Sequence, residues 1–256
     1  MKYILLSYCS FLVIAFSMAQ TTFYRSLDLN GDITWGMQVN SLPDGYMIVG
    51  LENCNGKGCV NWLETDLQGI VRDRFYLTDT LQSITGTNRG SYLKLENQHF
   101  ITATISQPDG TADMLISEID PTEQTINWIR VYGSNLENIP TKLIADDNHN
   151  IFAYYSKLFS TSPFISTTNL LKINISGDTI WETVIGIEDD YNNAFNHLHL
   201  PSGDHLTFYA ACEPGVECQS FLTGYGLYST KVDSLGNELW SQELRRGHYT
   251  RWNGTD

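Results

Sequence analysis

The sequence predicts an all-β fold: a propeller-like repeat of four-stranded antiparallel blades, about four complete blades plus an N-terminal half-blade, in a ring left open or incompletely closed. Three observations predict it. One turn recurs along the chain. Strand-forming segments succeed one another at four per roughly fifty residues, the arithmetic of a blade. The polar/apolar alternation also holds the same register in every copy, so the same face is buried each time.

The turn is clearest at Asp28-Leu29-Asn30-Gly31-Asp32-Ile33-Thr34-Trp35. It returns as Asn174, Gly177 and Trp181, and as Asp233, Gly236 and Trp240, with the same spacing. Two looser copies lie between: Asp66 to Gly69, which lacks the tryptophan, and Asp120 to Trp128, one residue longer and without the glycine. The opening Asp or Asn stands at 66, 120, 174 and 233, steps of 54, 54 and 59 residues. An Asp or Asn there can accept a hydrogen bond from the amide two residues on, and Gly can take the left-handed conformation that follows. The Trp then starts the outer strand of its unit and packs between adjacent blades. Its burial there is worth ~3 kcal/mol, by analogy with large-to-small core changes.

Taken in order, Phe23 to Asp28 and Ile33 to Val39 read as the half-blade. Leu42-Pro43-Asp44-Gly45 is a tight turn, because proline presets one torsion and glycine frees the next. Tyr46 to Val49, Val60 to Thr65 and Arg72 to Leu77 complete the first unit. The second runs through Ser91 to Leu95, His99 to Ile105, Met114 to Ile119 and Asn127 to Val131. The third uses Thr141 to Ile144, Asn150 to Tyr155, Thr168 to Ile173 and Trp181 to Ile185. The fourth uses Asn196 to Leu200, His205 to Ala210, Tyr228 to Val232 and Trp240 to Leu244. The residue before each turn is mostly apolar (Leu27, Thr65, Ile119, Ile173, Val232), and the one before that is polar each time. No amphipathic helix of useful length interrupts the series.

At the N-terminus, Lys2 precedes an apolar run from Ile4 to Phe16 and then Ser17-Met18-Ala19, the pattern of a signal peptide cleaved after Ala19. Residues 20–256 then form a single repeat domain, expected to be truncated at its C-terminal end. No second apolar run is long enough to span a bilayer. Export makes the remaining cysteines legible as two local disulfides, Cys54 with Cys59 and Cys212 with Cys218. A zinc site is the rival, although these spacings are wider than usual zinc knuckles. Closing such short loops stabilises by ~2 kcal/mol each. The net charge of -14 argues against a nucleic-acid partner, which would require clustered Lys and Arg.

Three groups of residues compete for chemistry. Asp28, Asn30 and Asp32 begin like a calcium loop but lack its later Gly and Glu, so they read as a hydrogen-bonded turn. His197, His199 and His205 fall on facing strands within reach of a metal. Aligning the repeats, however, sets His99, Asn150 and His205 at one position, which is the mark of architecture. The loop Glu188 to Asn193, with Asp189, Asp190, Tyr191 and Asn192, joins two units as Glu137 does one unit earlier. An acidic, amide-rich and aromatic rim loop suits a cation or a sugar. Nothing in the sequence requires a cofactor.

An apolar residue, Asp, a short turn, Gly and a following Trp resemble the repeat of quinoprotein-like (PQQ-type) β-propellers. The copy from Asp120 to Trp128 has that family's usual longer spacing. Together with Leu42 to Gly50, the pattern also resembles propeller repeats of large secreted bacterial proteins exported by type IX secretion, whose separate sorting domain this sequence does not show. The resemblance implies a scaffold and carries no catalytic residues. The function expected on this basis is a secreted, non-enzymatic module for binding or adhesion, its partner an extracellular glycan or protein, with self-association through open blade edges. The alternative is a sialidase-like carbohydrate-active hydrolase. Ser26 and Asp28 begin such a box well, but Gly31 and Trp35 fall late, and no set of arginines is available to grip a carboxylate.

Overall fold

The structure, a computed structural model, describes residues 35–78, 83–86, 90–133, 137–161, 164–186, 192–212 and 225–246. Among them every regular element is a strand. The first sheet runs β1 (Trp35–Leu42), β2 (Gly45–Cys54), β3 (Lys57–Asp66), β4 (Val71–Leu77), each antiparallel to the last. The second unit holds β5 (Ile84–Gly86) and β6 (Tyr92–Leu95), both paired to β7 (Gln98–Ser106), then β8 (Ala112–Asp120) and β9 (Thr125–Tyr132). The third is β10 (Glu137–Ala145), β11 (Ile151–Thr161), β12 (Phe164–Ile173), β13 (Thr179–Ile185). The fourth is β14 (Asn192–His199), β15 (His205–Cys212), β16 (Tyr225–Val232), β17 (Glu238–Arg246). A parallel bridge between Glu137 and Ala112 joins the second and third units into one nine-stranded sheet. No pairing joins the fourth sheet to the first among the described residues.

The turns explain the strand order. Asp66, Asn174 and Asp233 each accept, on Oδ1, the amides two and four residues on, at 2.8–2.9 Å. Gly69, Gly177 and Gly236 then take φ of 75°, 83° and 90°, where a side chain would be strained. Asp120 bonds the amides of Thr122 and Glu123, and in its longer turn Gln124 takes the positive φ. The same five-residue turn also closes the inner hairpin of the third unit: Asp146 bonds Asn148 and Asn150, with His149 at φ 62°.

First strands are innermost and touch across units. Gln38 of β1 bonds both backbone groups of Tyr92. Leu143 N donates to Gly90 O at 2.9 Å, and Lys142 Nζ donates to His197 O at 2.8 Å. Inner strands β1, β10 and β14 each carry a register shift, after Gly36, Pro140 and Ala194, and β5 carries one after Ile84. Such bulges bend a strand and re-aim its side chains. Last strands face solvent, as the exposed positions of β9 and β17 show.

One boundary differs from the sequence reading. Of the half-blade expected over 23–39, only the part from Trp35 on lies within the described residues, and it is not an outer strand. Trp35 pairs with Leu51, so 35–42 is wholly used as the inner strand of the first sheet. Asp28 and Gly31 themselves lie outside the described residues.

Three apolar clusters fill the spaces between successive sheets. Met47, Val49, Trp62 and Leu77 meet Ile101, Ala103 and Leu115. Phe100, Met114 and Ile116 meet Leu143, Ala153 and Leu171. Phe152, Tyr154 and Leu170 meet Tyr209, Ala211 and Tyr228. Across a hairpin of the first sheet, Cys54 and Cys59 form a disulfide with Cα atoms 5.8 Å apart. Asn55 and Gly56, both at positive φ, make its two-residue turn, as this hairpin geometry demands. The pairing proposed for Cys212 and Cys218 lies outside what the structure describes, since Cys218 and the side chain of Cys212 are not among the described groups.

Candidate functional site

The groove between the third and fourth sheets is a polar recess. It has a volume of about 540 Å³ and is walled by the inner turns at Asp146 to Asn148 and Leu200 to Gly203, by Lys172 and His199, and by Ser234 and Leu235 of the last outer turn. Local folding puts these together: three hairpin turns of the same kind reach one rim, because the first and third hairpins of a blade point the same way.

Its charges divide into spent and available. Asp146 accepts three bonds within its own turn on Oδ1, one from Asn150 Nδ2 on Oδ2, and pairs with Lys172 Nζ at 3.4 Å. Burial works to raise its pKa, but the Asn150 bonds and Lys172 outweigh that and hold the carboxyl below its ordinary value. Across the groove, Asp204 takes bonds from Ser202 and Lys231 that hold it low as well. Asp147, Asn148 and Ser234 remain on the lips, whereas the ammonium of Lys172 is held by Asp146 and lies 4.9 Å over the Phe152 ring.

Behind the groove stand the histidines. His205 is fully buried, with Nδ1 2.7 Å from the Tyr154 hydroxyl. His199 stacks on it at 4.9 Å, and Nε2 of both rings has no hydrogen-bond partner. His197 stacks on Tyr154 at 3.8 Å, and its nitrogens meet Thr141 and Thr207 at 3.2 and 3.3 Å. The rings are therefore stacked on aromatic neighbours instead of converging on a common point. Among the described residues no group of His, Cys, Asp or Glu is placed to hold a metal ion.

The other sequence candidates are dispersed. Glu137 opens β10 at the parallel bridge. Alternation turns it away from its neighbour Asn138, whose Nδ2 donates to Asp113 Oδ1 at 3.2 Å. Asp189, Asp190 and Tyr191 lie outside the described residues, and Asn192 is described only as the first residue of β14. Sequence reasoning missed Asp146, Lys172, Phe152 and Tyr154. Asp146 opens the same turn motif as Asn174, and that likeness was the available signal. The Lys172 pairing had none, since it crosses from strand to turn within the sheet.

Among the repeat residues, Trp128 and Trp181 stand inside the outer strands β9 and β13, which start before them at Thr125 and Thr179, and reach the next unit. A Cβ on Gly177 would lie 3.0 Å from Trp128 Cζ3, and one on Gly236 would lie 3.1 Å from Trp181. Trp128 also lies 6.0 Å from Phe100, and Trp181 5.9 Å from Phe152. Trp240 stands at the matching place in the last described strand, β17, and is exposed.

No protein-family model matches the sequence. No curated protein matches it either. Solved structures do resemble its fold. An α-L-arabinanase from Penicillium chrysogenum, in complex with arabinobiose, superposes with a TM-score of 0.60 at 11% identity, over 82% of this chain and 66% of that one. An endo-arabinase from Bacteroides thetaiotaomicron does so at 0.53 and 12%, over 86% of this chain and 82% of the other. A thermostable family-43 glycoside hydrolase gives 0.53 and 12%, over 89% and 78%. At such identities the likeness is one of fold, and it shows a propeller-like arrangement of four-stranded sheets. It also corrects the expectation of a non-enzymatic binding or adhesion module, because these solved scaffolds are those of sugar hydrolases.

Proposed function

We propose that the chain is a carbohydrate-active propeller of the glycoside hydrolase class, with arabinose-containing glycans the first substrates to try. The observation that carries this reading is the shared sheet arrangement with two arabinan-cleaving proteins and a family-43 hydrolase. The groove between the third and fourth sheets adds the hydrogen-bonding complement that hydroxyl-rich ligands need: a carboxylate and an amide at Asp147 and Asn148 and a hydroxyl at Ser234. Asp146 is excluded from that set because its oxygens already hold its turn together. The kinship of the turn with quinoprotein-like and type IX-exported repeats is proposed as a likeness of scaffold only.

The protein works outside the cytoplasm in this reading. Residues 1–19 act as a leader removed after Ala19, residues 20–256 form one repeat domain, and Cys212 pairs with Cys218 in the oxidising compartment. Among the described residues no helix is long and apolar enough to cross a membrane. Exported protein, checked by mass for a start at Gln20, is assayed on linear arabinan and a panel of chromogenic glycosides. Turnover of at least one is expected, with kcat/KM falling tenfold or more in Asp147→Asn. Absence of turnover across the panel, in protein that gives a native melt, overturns the reading.

A further inference from the structure

The seams between successive sheets are built alike but not charged alike. The first seam contains one half-buried imidazole, His99, whose Nδ1 lies 2.7 Å from the Tyr92 hydroxyl. The second is apolar, with Asn150 where His99 stands, and no imidazole enters its cluster among the described residues. The third takes in His197, 2% exposed, His205, 0% exposed, and the half-buried His199. These rings and those of Phe152 and Tyr154 form one cluster of two stacked pairs, His199 on His205 at 4.9 Å and His197 on Tyr154 at 3.8 Å, joined by the tilted contact of His205 with Phe152 at 4.2 Å and its edge contact with Tyr154 at 6.1 Å. Strands β14 and β15 supply the histidines of the cluster, and β11 supplies the rings they lie on.

Every charged group packed against the cluster is already committed. Lys142 of β10 donates to the backbone of His197, Lys172 of β12 pairs with Asp146, and Asp204 pairs with Lys231 of β16. A proton added to His197 or His205 would meet two ammonium groups and no free carboxylate. On His205 it would complete an N–H at a buried Nε2 that has nothing to accept it. A buried cation without a partner is the costliest group an interface can carry.

We propose that the seam between the third and fourth sheets is an acid-operated hinge: protonation of its imidazoles releases the fourth sheet from the third before the other seams open. The direction follows from linkage. Burial first, then the neighbouring positive charge of Lys142 and His205, pushes His197 down to about 3. Burial, His199 and Lys172 push His205 down to about 4 against the weaker pull of Asp146 and Asp204. Both rings bind protons more weakly with the seam closed than at the ordinary value of 6.5. The closed seam is therefore fully favoured above 6.5, and its closing constant falls about tenfold per pH unit per ring as pH drops toward the closed-state values. Asp146 and Asp204, held below their ordinary values, stay ionised across that window.

Hydrogen exchange of the intact protein, corrected for the intrinsic rate, tests this between pH 7 and 4.5. Peptides from 192–212 and 225–246 should lose protection with a slope approaching two protons, while those from 45–66 and 98–120, whose seam holds the single imidazole of His99, lose it with a slope no greater than one. His205→Asn, which installs the residue the second seam uses at that position, should reduce the slope to about one. The wild-type comparison needs no variant to fold. Loss of protection in all sheets together with one slope overturns the hinge, as does an unchanged slope in folded His205→Asn.

Discussion

Gly177 performs two tasks, and they can be separated by substitution. Its φ of 83° closes the turn opened by Asn174, and its missing side chain leaves room for Trp128 and Arg130 of the preceding unit. Gly110 has nearly the same torsion, 87°, with open space around it. Replacing Gly110 by Ala should cost only the left-handed backbone, about 1 kcal/mol. Gly177→Ala should cost that and also displace the indole and the arginine stem, about 3 kcal/mol in all. Denaturant melts of the two variants check the difference, and equal losses would remove the packing role. The same logic explains why the turn carries glycine at Gly177 and Gly236, each against a tryptophan of the preceding unit, whereas the Asp146 turn accepts His149, whose side chain has room to reach Glu96 of the neighbouring inner turn across 3.4 Å.

Indoles tie one unit to the next at the scale of the strand. Trp181 of β13 rests on Phe152 and is met by the Gly236 turn of the following sheet, whereas Trp240, at the same place in β17, is exposed. Trp181→Ala should lower stability by about 3 kcal/mol, whereas Trp240→Ala should change it by less than about 1 kcal/mol. Thermal melts of the pair measure this, and equal effects would mean that the indole stabilises its own sheet and not the join. The elements themselves were legible because their signals are local. The Asx bond of Asp233, the left-handed glycine and the two-residue period of His99 to Ile105 all act within a few residues. What stayed hidden depends on contacts far apart in sequence. Trp35 carries every mark of the repeat, yet pairing with Leu51 makes its segment the first strand of the first sheet. The pairing of Lys172 with Asp146, and the stacking of His197 on Tyr154, likewise belong to the assembled sheets and leave no local trace.

For the molecule as a whole, acid acts with both signs at the first end and with one sign at the last: burial, then Lys94, lowers His99 in the first seam just as burial lowers the imidazoles of the last. Burial first, then Asp73 and Asp44, raises the carboxyl of Glu64 in the first sheet, so the folded state takes up that proton more readily and gains from mild acidification. The buried imidazoles of the last seam have the reverse sign and lose stability from pH 6.5 downward. Below that lies a second loss. Asp233 is held low by its bonds to the Asn237 side chain and backbone, so its stabilisation is present above the ordinary carboxylate value and disappears as pH falls through its lowered one. Acid unfolding should therefore come in two steps: release of the fourth sheet between about pH 6.5 and 4, then loss of the turns below pH 4. Asn174 makes the same pair of backbone bonds as Asp233 without a titrating group. Asp233→Asn should accordingly keep the native melt at neutral pH and shift the lower step to more acid pH, leaving the upper one in place. Circular dichroism of the strand signal, followed alongside tryptophan fluorescence from pH 7 to 2, separates the two steps. A single transition shared by both probes, unmoved by the substitution, would show that the sheets unfold as one body and that neither the turn carboxylate nor the histidine stack governs the acid limit.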